Sequence, residues 1–194
     1  MSEDLAGLRS RLDPAPAPVA APGDRLAAVL ALLVREPAPS LLFTVRAATL
    51  SRHAGEVSFP GGLRDPEDAD LAATALRETE EEVGIDRDAP TLLGALPAVH
   101  TFVSGILVTP FVGVLPVLPS LAVSDVEIAE ALTVPLGDLH AAEEQRELRR
   151  EAGRVWKGWW YETGGVTIWG ATGFMLHALL DLIRKEEPWL LRAP

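Results

Sequence analysis

Three glutamates are spaced so that their carboxylates would share one side of a helix: Glu78, Glu81 and Glu82. Positions i, i+3 and i+4 are neighbours on a helix surface, and like charges at this spacing repel each other. A hard divalent cation such as Mg²⁺ prefers oxygen ligands and would neutralise that repulsion. We therefore predict a metal site, the alternative being a solvated acidic face. Glu80, on the far side of the helix from Glu82, is interpreted as solvated.

The helix that carries these acids is expected to begin near Asp65 and to end at Gly84. Asp65 would cap it, Pro66 would occupy its first position, and Asp68 would complete the capping pattern. Glycine at the end is typical of a helix terminus. Arg77 precedes Glu81 by one helical turn, so its guanidinium is expected to hold that carboxylate in place.

Residues 61–85 resemble the signature of the Nudix hydrolases, G-x5-E-x7-R-E-U-x-E-E-x-G-U with U aliphatic. Three features depart from it. Counted from Gly62, the first acidic position is Asp68 rather than a glutamate, and the gap from Asp68 to Arg77 is eight residues instead of seven. Thr79 stands where an aliphatic residue is usual. The second half of the signature, which carries the clustered glutamates, is intact.

Residues 42–62 are similar to the extra motif of the coenzyme A diphosphatase branch, L-L-T-x-R-[SA]-x3-R-x3-G-x3-F-P-G-G. Here Ser51 replaces the second arginine and Arg52 follows it. Residues 168–172 resemble a further segment of this branch, at the start of the last helix. The resemblance extends over residues 25–185, nearly the whole chain.

This resemblance implies an α/β fold, the Nudix-type α/β/α sandwich with a mixed β-sheet between helical layers. It implies a Mg²⁺- or Mn²⁺-dependent hydrolase that cleaves coenzyme A and its thioesters into adenosine 3′,5′-bisphosphate and 4′-phosphopantetheine or its acylated form. Two alternatives stay open. One is a Nudix diphosphatase for ADP-ribose or another nucleotide diphosphate. The other is a non-catalytic Nudix-fold nucleotide sensor, which would not need to keep its metal carboxylates.

The resemblance also implies roles for single residues. Arg77, Glu78 and Glu81 are catalytic candidates. The general base stays open between a glutamate of the signature and Glu127, which is equally well interpreted as an acid at a helix start. Gly62 allows the backbone to approach a cation closely because it has no side chain. The expected metal ligands are Glu78, Glu81, Glu82 and the Gly62 carbonyl.

Substrate binding is assigned to the upstream motif. Arg46 and Arg52 flank the loop that leads into the signature, and guanidinium groups suit bidentate phosphate contacts. Their alternative interpretation is as solvent-exposed charges. The motif implies that Ser58 and Phe59 also contact substrate. The segment His100-Thr101-Phe102 is a candidate edge of the substrate site.

Aromatic residues near the C-terminus are expected to serve different purposes. Trp169 and Phe174 are predicted to pack in the core, as aromatic residues at strand ends and helix faces usually do. The cluster Trp156, Trp159, Trp160 and Tyr161 is too dense to be wholly buried. One of its members is expected to line a nucleotide or pantetheine groove or to form a homodimer surface.

Composition limits the classes of function. The 194 residues are 48% hydrophobic and 23% charged, as in a soluble globular protein. The absence of cysteine excludes disulfides and thiolate chemistry, and the net charge of −11 argues against a nucleic-acid partner. The apolar run 26–34 is too short to span a membrane, and no signal sequence precedes it. We expect a cytoplasmic enzyme with a small-molecule substrate.

The chain is divided into an N-terminal helix and Ala/Pro-rich linker (1–24), a Nudix domain (25–187) and a tail (188–194). Residues 143–151 are predicted to be an exposed helix or loop. Helices are expected at 5–12 and 171–185, besides the acidic helix and a turn of helix near Asp138. Strands are expected at 26–34, 40–46, 91–98, 103–115, 132–135, 155–161 and 166–169.

Overall fold

The computed structural model describes residues 5–47, 55–101, 105–124, 128–151 and 154–192. No helix within these ranges is long and apolar enough to cross a membrane. The helices are α1 (Ala6–Arg11), α2 (Leu71–Val83), α3 (Leu136–Ala141) and α4 (Gly170–Glu186), followed by a 3₁₀ turn (Pro188–Leu191). The strands are β1 (Arg25–Glu36), β2 (Ser40–Arg46), β3 (Val57–Ser58), β4 (Gly61–Leu63), β5 (Thr91–Ala95), β6 (Val99–His100), β7 (Ile106–Val117), β8 (Ile128–Pro135), β9 (Glu143–Glu151), β10 (Arg154–Thr163) and β11 (Val166–Ile168).

The central sheet is mixed. Strand β1 lies at its middle, parallel to β7 and antiparallel to β2 and β4. The sheet has the order β3-β2-β1-β7-β5, with β4, β6 and β8 pairing with β1, β7 and β2. An almost unbroken apolar run in β1 is explained by this position, because a strand covered on both faces has no solvated side.

Side chains alternate along β1 into two separate cores. Leu30 and Leu32 pack on the face covered by α2, with Leu71 and Ala75. Val29, Ala31 and Leu33 pack on the opposite face with α4 residues such as Leu176 and Leu180. Helices therefore cover both faces of the sheet, and the α/β sandwich implied by the sequence is confirmed.

The predicted start of the acidic helix is wrong. Helix α2 begins at Leu71, and its cap is Asp70, whose carboxylate accepts a hydrogen bond of 2.8 Å from the Ala73 N–H. Asp65 and Asp68 form a turn before it, in which the Asp65 N–H donates to Asp68 Oδ2 at 3.0 Å. The Asp68 carboxylate is also bound by Arg77 of the helix, and the cap lies at Asp70 because the chain becomes helical only at Leu71.

The prediction for residues 143–151 is also wrong, because they form strand β9. This strand pairs with the tryptophan-rich β10 in a second, three-stranded antiparallel sheet of order β11-β10-β9. Backbone pairing with β10 outweighs the low strand preference of this polar sequence. On the exposed side, Arg146 forms ion pairs with Glu144 and Glu162. The predicted hairpin across Gly164 and Gly165 is confirmed as β10–β11.

Candidate active site

Helix α2 lies against the short glycine strand β4, and this contact brings the acids to the sheet. Gly61 and Gly62 pair with Val29 and Ala28 of β1, so their positions are set by the centre of the fold. The helix ends at Gly84, whose φ of 73° lies in the left-handed region that glycine tolerates best.

Two of the three predicted acids contact this glycine strand. The Gly61 N–H donates to Glu82 Oε2 at 3.2 Å, and the Glu82 side chain is buried. A Cβ atom on Gly62 would lie 2.5 Å from the Glu78 carboxylate. The strand thus approaches Glu78 as closely as a glycine allows, and the structure brings the predicted residues Gly62, Glu78 and Glu82 near one another.

Arg77 links the acids to the preceding turn. Its Nη1 donates to Glu78 Oε1 and to Glu81 Oε2, both at 3.0 Å, so the predicted Arg77–Glu81 contact is present. Its Nε and Nη2 donate to the two oxygens of Asp68 at 2.9 and 3.0 Å. These hydrogen bonds hold the pKa of the Asp68 carboxyl well below its usual range, despite the opposing effect of burial.

The departures from the signature are accommodated locally. Asp68 makes the bidentate contact with Arg77 although the intervening segment is one residue longer than in the signature. Thr74 also donates to Asp68 Oδ2, at 2.8 Å. Thr79 is buried at the usual aliphatic position, and its hydroxyl donates to the Ala75 carbonyl at 2.7 Å, which satisfies the polar group inside the helix.

The three carboxylates do not converge on one point in this structure. Among the described residues, no group of three or more His, Cys, Asp or Glu side chains is arranged to hold a metal ion. Glu81 is 57% exposed and hydrogen-bonded to Arg77, whereas Glu82 faces Gly61. Arg77 supplies positive charge between Glu78 and Glu81. The donor set itself, carboxylates beside Gly61 and Gly62, has the oxygen chemistry that a hard divalent cation requires.

Glu80 lies apart from this group, as the helical spacing predicts. It forms an ion pair with Arg87, whose Nε donates to Glu80 Oε2 at 2.8 Å. The helical phase derived from the sequence is therefore correct, and Glu80 serves as an internal comparison for the other three glutamates.

A cavity of about 720 Å³ opens beside the glycine strand. Arg46 Nε is buried there and has no hydrogen-bond partner among the described residues. Phe59 also lines the cavity but is itself buried, stacked on Phe43 with ring centroids 4.9 Å apart. Predicted site residues that line the cavity are Arg46, Ser58, Phe59 and Gly62, together with Thr101 from the predicted substrate edge.

The prediction that Trp169 packs in the core is wrong. Trp169 is 42% exposed and lines the cavity, as does Trp156, which is 39% exposed. Trp169 is the residue immediately before α4. Phe174 is half-buried at a smaller cavity, and Tyr161 is wholly buried. The resemblance of residues 168–172 to a segment of the family is the sequence signal that Trp169 belongs to the site region.

Two predicted residues, Arg52 and Glu127, and the predicted edge residue Phe102 lie outside the described residues. The residues that flank Glu127 are described. Ser124 donates its N–H to the Glu82 carbonyl at 2.9 Å, and Ile128 donates to the Ser124 carbonyl at 3.0 Å. Ile128 is also the pairing partner of Arg46 in the sheet. The flanks of Glu127 therefore lie between the end of α2 and Arg46.

Known proteins resemble this chain over most of its length. Residues 24–153 match the family model described as the NUDIX domain. The Photorhabdus laumondii protein called "Uncharacterized Nudix hydrolase NudL" is 40% identical over 165 residues, covering 83% of this chain and 86% of its own. A protein of the same name from Cronobacter sakazakii is 42% identical over 161 residues, covering 80% and 81%.

Solved structures share the fold. A MutT/nudix family protein from Enterococcus faecalis superposes with a TM-score of 0.59 at 15% identity, covering 91% of this chain and 69% of its own. The NUDIX domain of Shewanella oneidensis NrtR, solved as a complex with ADP ribose, gives a TM-score of 0.53 at 15% identity, covering 95% and 98%. At these identities the likeness supports the fold alone.

Proposed function

Because the chain belongs to the Nudix hydrolase family and is accordingly a hydrolase of diphosphate linkages, we propose that its substrates are coenzyme A and its thioesters. The products would be adenosine 3′,5′-bisphosphate and 4′-phosphopantetheine or its acylated form. The observation that carries this choice is Arg46, which lines the cavity beside the glycine strand and whose buried Nε has no hydrogen-bond partner in the part of the chain that the structure describes. Such a donor is suited to a phosphate outside the acidic cluster.

Nudix hydrolases generally use divalent metal ions, and we propose Mg²⁺ or Mn²⁺ for this chain. Glu78, Glu81 and Glu82 with the Gly62 carbonyl would hold the cation. When bound, it would screen the negative oxygens of the diphosphate. Gly62 contributes by its lack of a side chain, since a Cβ there would meet the Glu78 carboxylate at 2.5 Å.

Residues of the chain itself would position the acids and activate the attacking water. Arg77 orients Glu78 and Glu81 through paired 3.0 Å hydrogen bonds, and Asp68 fixes Arg77 in turn. Glu81 is the more exposed of the two and can accept a proton from an attacking water. Glu127 is the alternative base, and its flanking residues lie beside Glu82 and Arg46. Variants at both positions would distinguish them.

Arg46 is the proposed contact for the 3′-phosphate of coenzyme A, which most nucleotide diphosphates lack. A guanidinium group offers several N–H donors to phosphate oxygens in a fixed geometry. Ser58, in the strand paired with β2, lines the same cavity and can add a hydroxyl. Arg52 is proposed as a second cation on the sequence pattern alone.

A substrate panel tests this proposal. The purified protein is assayed with Mg²⁺ and with Mn²⁺ against coenzyme A, acetyl-coenzyme A, ADP-ribose, NADH, diadenosine polyphosphates and nucleoside triphosphates. We expect the highest kcat/KM for coenzyme A or its thioester, with adenosine 3′,5′-bisphosphate as a product. A clear preference for any other compound would overturn the coenzyme A assignment and leave the family activity intact.

A second candidate substrate is ADP-ribose, because the structurally similar NUDIX domain of NrtR was solved with that ligand. The replacement of the second motif arginine by Ser51 also favours it. The third candidate, a sensor without catalysis, is disfavoured by the joint retention of Arg77, Glu78, Glu81 and Glu82. Binding without product from any diphosphate in the panel would support the sensor.

A further inference from the structure

Several exposed apolar side chains line the large cavity. Among the described residues, Leu63, Trp156 and Trp169 are large hydrophobic residues that remain exposed and that line this cavity. Apolar groups left open to solvent in a concave site commonly mark the surface that a ligand covers. The glycine strand lines the same cavity, so a ligand bound there could contact both regions.

Trp169 stacks on a second aromatic ring and lies between a strand and a helix. It follows Ile168, which is buried and pairs with Tyr161 of β10, and it precedes the first residue of α4. Its ring stacks on Trp160, with centroids 5.9 Å apart and an angle of 16° between the planes. Since a second ring backs it and 42% of the residue is exposed, Trp169 presents a flat aromatic surface to the cavity.

We propose that Trp169, backed by Trp160, is the surface on which the adenine base of the substrate stacks. The inference rests on the proposed diphosphatase function, but it holds for coenzyme A and ADP-ribose alike, because both carry adenine. A flat, fixed indole matches a planar heterocycle and gains stacking energy from it. The flexible pantetheine or aliphatic acyl arm has no aromatic ring that would stack on such a surface.

Product binding tests this assignment without requiring turnover. AMP and 4′-phosphopantetheine are titrated by calorimetry into the wild type, Trp169→Leu and Trp169→Phe. We expect Trp169→Leu to weaken AMP binding by about tenfold or more and to leave 4′-phosphopantetheine binding unchanged. Trp169→Phe, which keeps an aromatic face, should recover most of the AMP affinity. Val117→Ala, an exposed apolar position outside the cavity lining, serves as the matched control.

Each other outcome overturns the proposal. Unchanged AMP binding in Trp169→Leu, with the fold verified by circular dichroism, would remove Trp169 from the base site. Selective loss of 4′-phosphopantetheine binding would assign the tryptophan to the pantetheine arm instead. Failure of the wild type to bind AMP would also refute it. The substrate panel tests a separate claim. A preference for ADP-ribose would reject coenzyme A as the substrate, but AMP binding would still test the role of Trp169.

Discussion

Arg77 binds both oxygens of Asp68, with Nε 2.9 Å from Oδ1 and Nη2 3.0 Å from Oδ2. The remaining Nη1 contacts Glu78 and Glu81 at 3.0 Å each. One guanidinium group therefore joins the turn before α2 to two acids of the site. Because Asp68 is only 6% exposed at its side chain, this pair acts where water screens it weakly.

Asp68→Asn is expected to reduce the free energy of unfolding by about 2–4 kcal/mol, because it removes the buried carboxylate charge that binds two nitrogens of the Arg77 guanidinium. Turnover should fall as well, since Arg77 would no longer be fixed. Chemical denaturation measures the first effect. Asp65→Asn is the matched control: Asp65 is 59% exposed and 3.8 Å from the same arginine, so little change is expected. Equal losses for the two variants would contradict this account.

The same pair predicts a pH dependence of stability. Hydrogen bonds from Arg77 lower the pKa of Asp68 in the folded state, so the folded protein favours the ionised carboxylate. This contribution is fully present above the unfolded pKa of about 3.9 and is lost as the pH falls from there towards the folded-state value. Unfolding experiments between neutral and acidic pH should show a smaller acid-induced loss in Asp68→Asn than in the wild type.

Glu78→Gln and Glu82→Gln are each expected to lower turnover by roughly a hundredfold or more, because an amide removes the anionic charge that a divalent cation requires. The assay compares kcat over a range of Mg²⁺ and Mn²⁺ concentrations, with circular dichroism to verify folding. Glu80→Gln should be nearly silent, since Glu80 pairs with Arg87 away from the site. Similar losses at Glu80 would refute the metal role assigned to this helix face.

Alanine substitutions at the two glycines of β4 should have different effects, one mainly on activity and the other mainly on stability. At Gly62, the added Cβ would meet the end of the Glu78 side chain at 2.5 Å, which can move, so we expect lower activity with modest loss of stability. At Gly61, it would lie 2.3 Å from the Ala28 carbonyl oxygen at a φ of 150°, so the protein itself should be destabilised. Thermal unfolding and initial rates, measured on both variants, separate the two effects.

Arg46→Ala should lower kcat/KM for coenzyme A much more than for its 3′-dephospho form, because only the former offers the phosphate that the Arg46 guanidinium is proposed to bind. Arg46→Lys should recover part of the loss, as lysine restores charge but lacks the bidentate geometry. Equal losses of kcat/KM on both substrates would indicate that Arg46 binds the diphosphate or supports the fold. No loss on either substrate would indicate a surface charge without a role in binding.

Glu143 is expected to stabilise the contact between β9 and α4. It accepts hydrogen bonds from Tyr161 Oη at 2.9 Å and from Arg184 Nη1 at 2.7 Å, and His177 Nδ1 lies 3.0 Å away. Burial and the neighbouring Glu143 carboxylate raise the pKa of Tyr161 above its usual value. Glu143→Gln should reduce the free energy of unfolding by about 2–4 kcal/mol in urea denaturation. Glu144→Gln, in an exposed pair with Arg146, should have little effect.

The acidic helix shows which structural features the local sequence pattern predicts and which it does not. The 3.6-residue period correctly separates Glu80 from Glu78 and Glu82, because side-chain direction on a helix depends only on spacing. The pattern did not identify the cap. Asp65 and Asp70 are both suitable capping residues by type, but the chain becomes helical only at Leu71, so Asp70 is the cap. Asp68 instead binds Arg77, nine positions further along the chain.

Other features were decided by partners distant in the chain. Residues 143–151 have no strand pattern, and they form β9 because β10 supplies the backbone hydrogen bonds. The sequence determined the family signature, the helix that bears the acids and the central strands, since these depend on local periodicity and motif spacing. Only the tertiary structure decided that Trp169 faces the cavity beside the glycine strand, because exposure depends on what packs against a side chain.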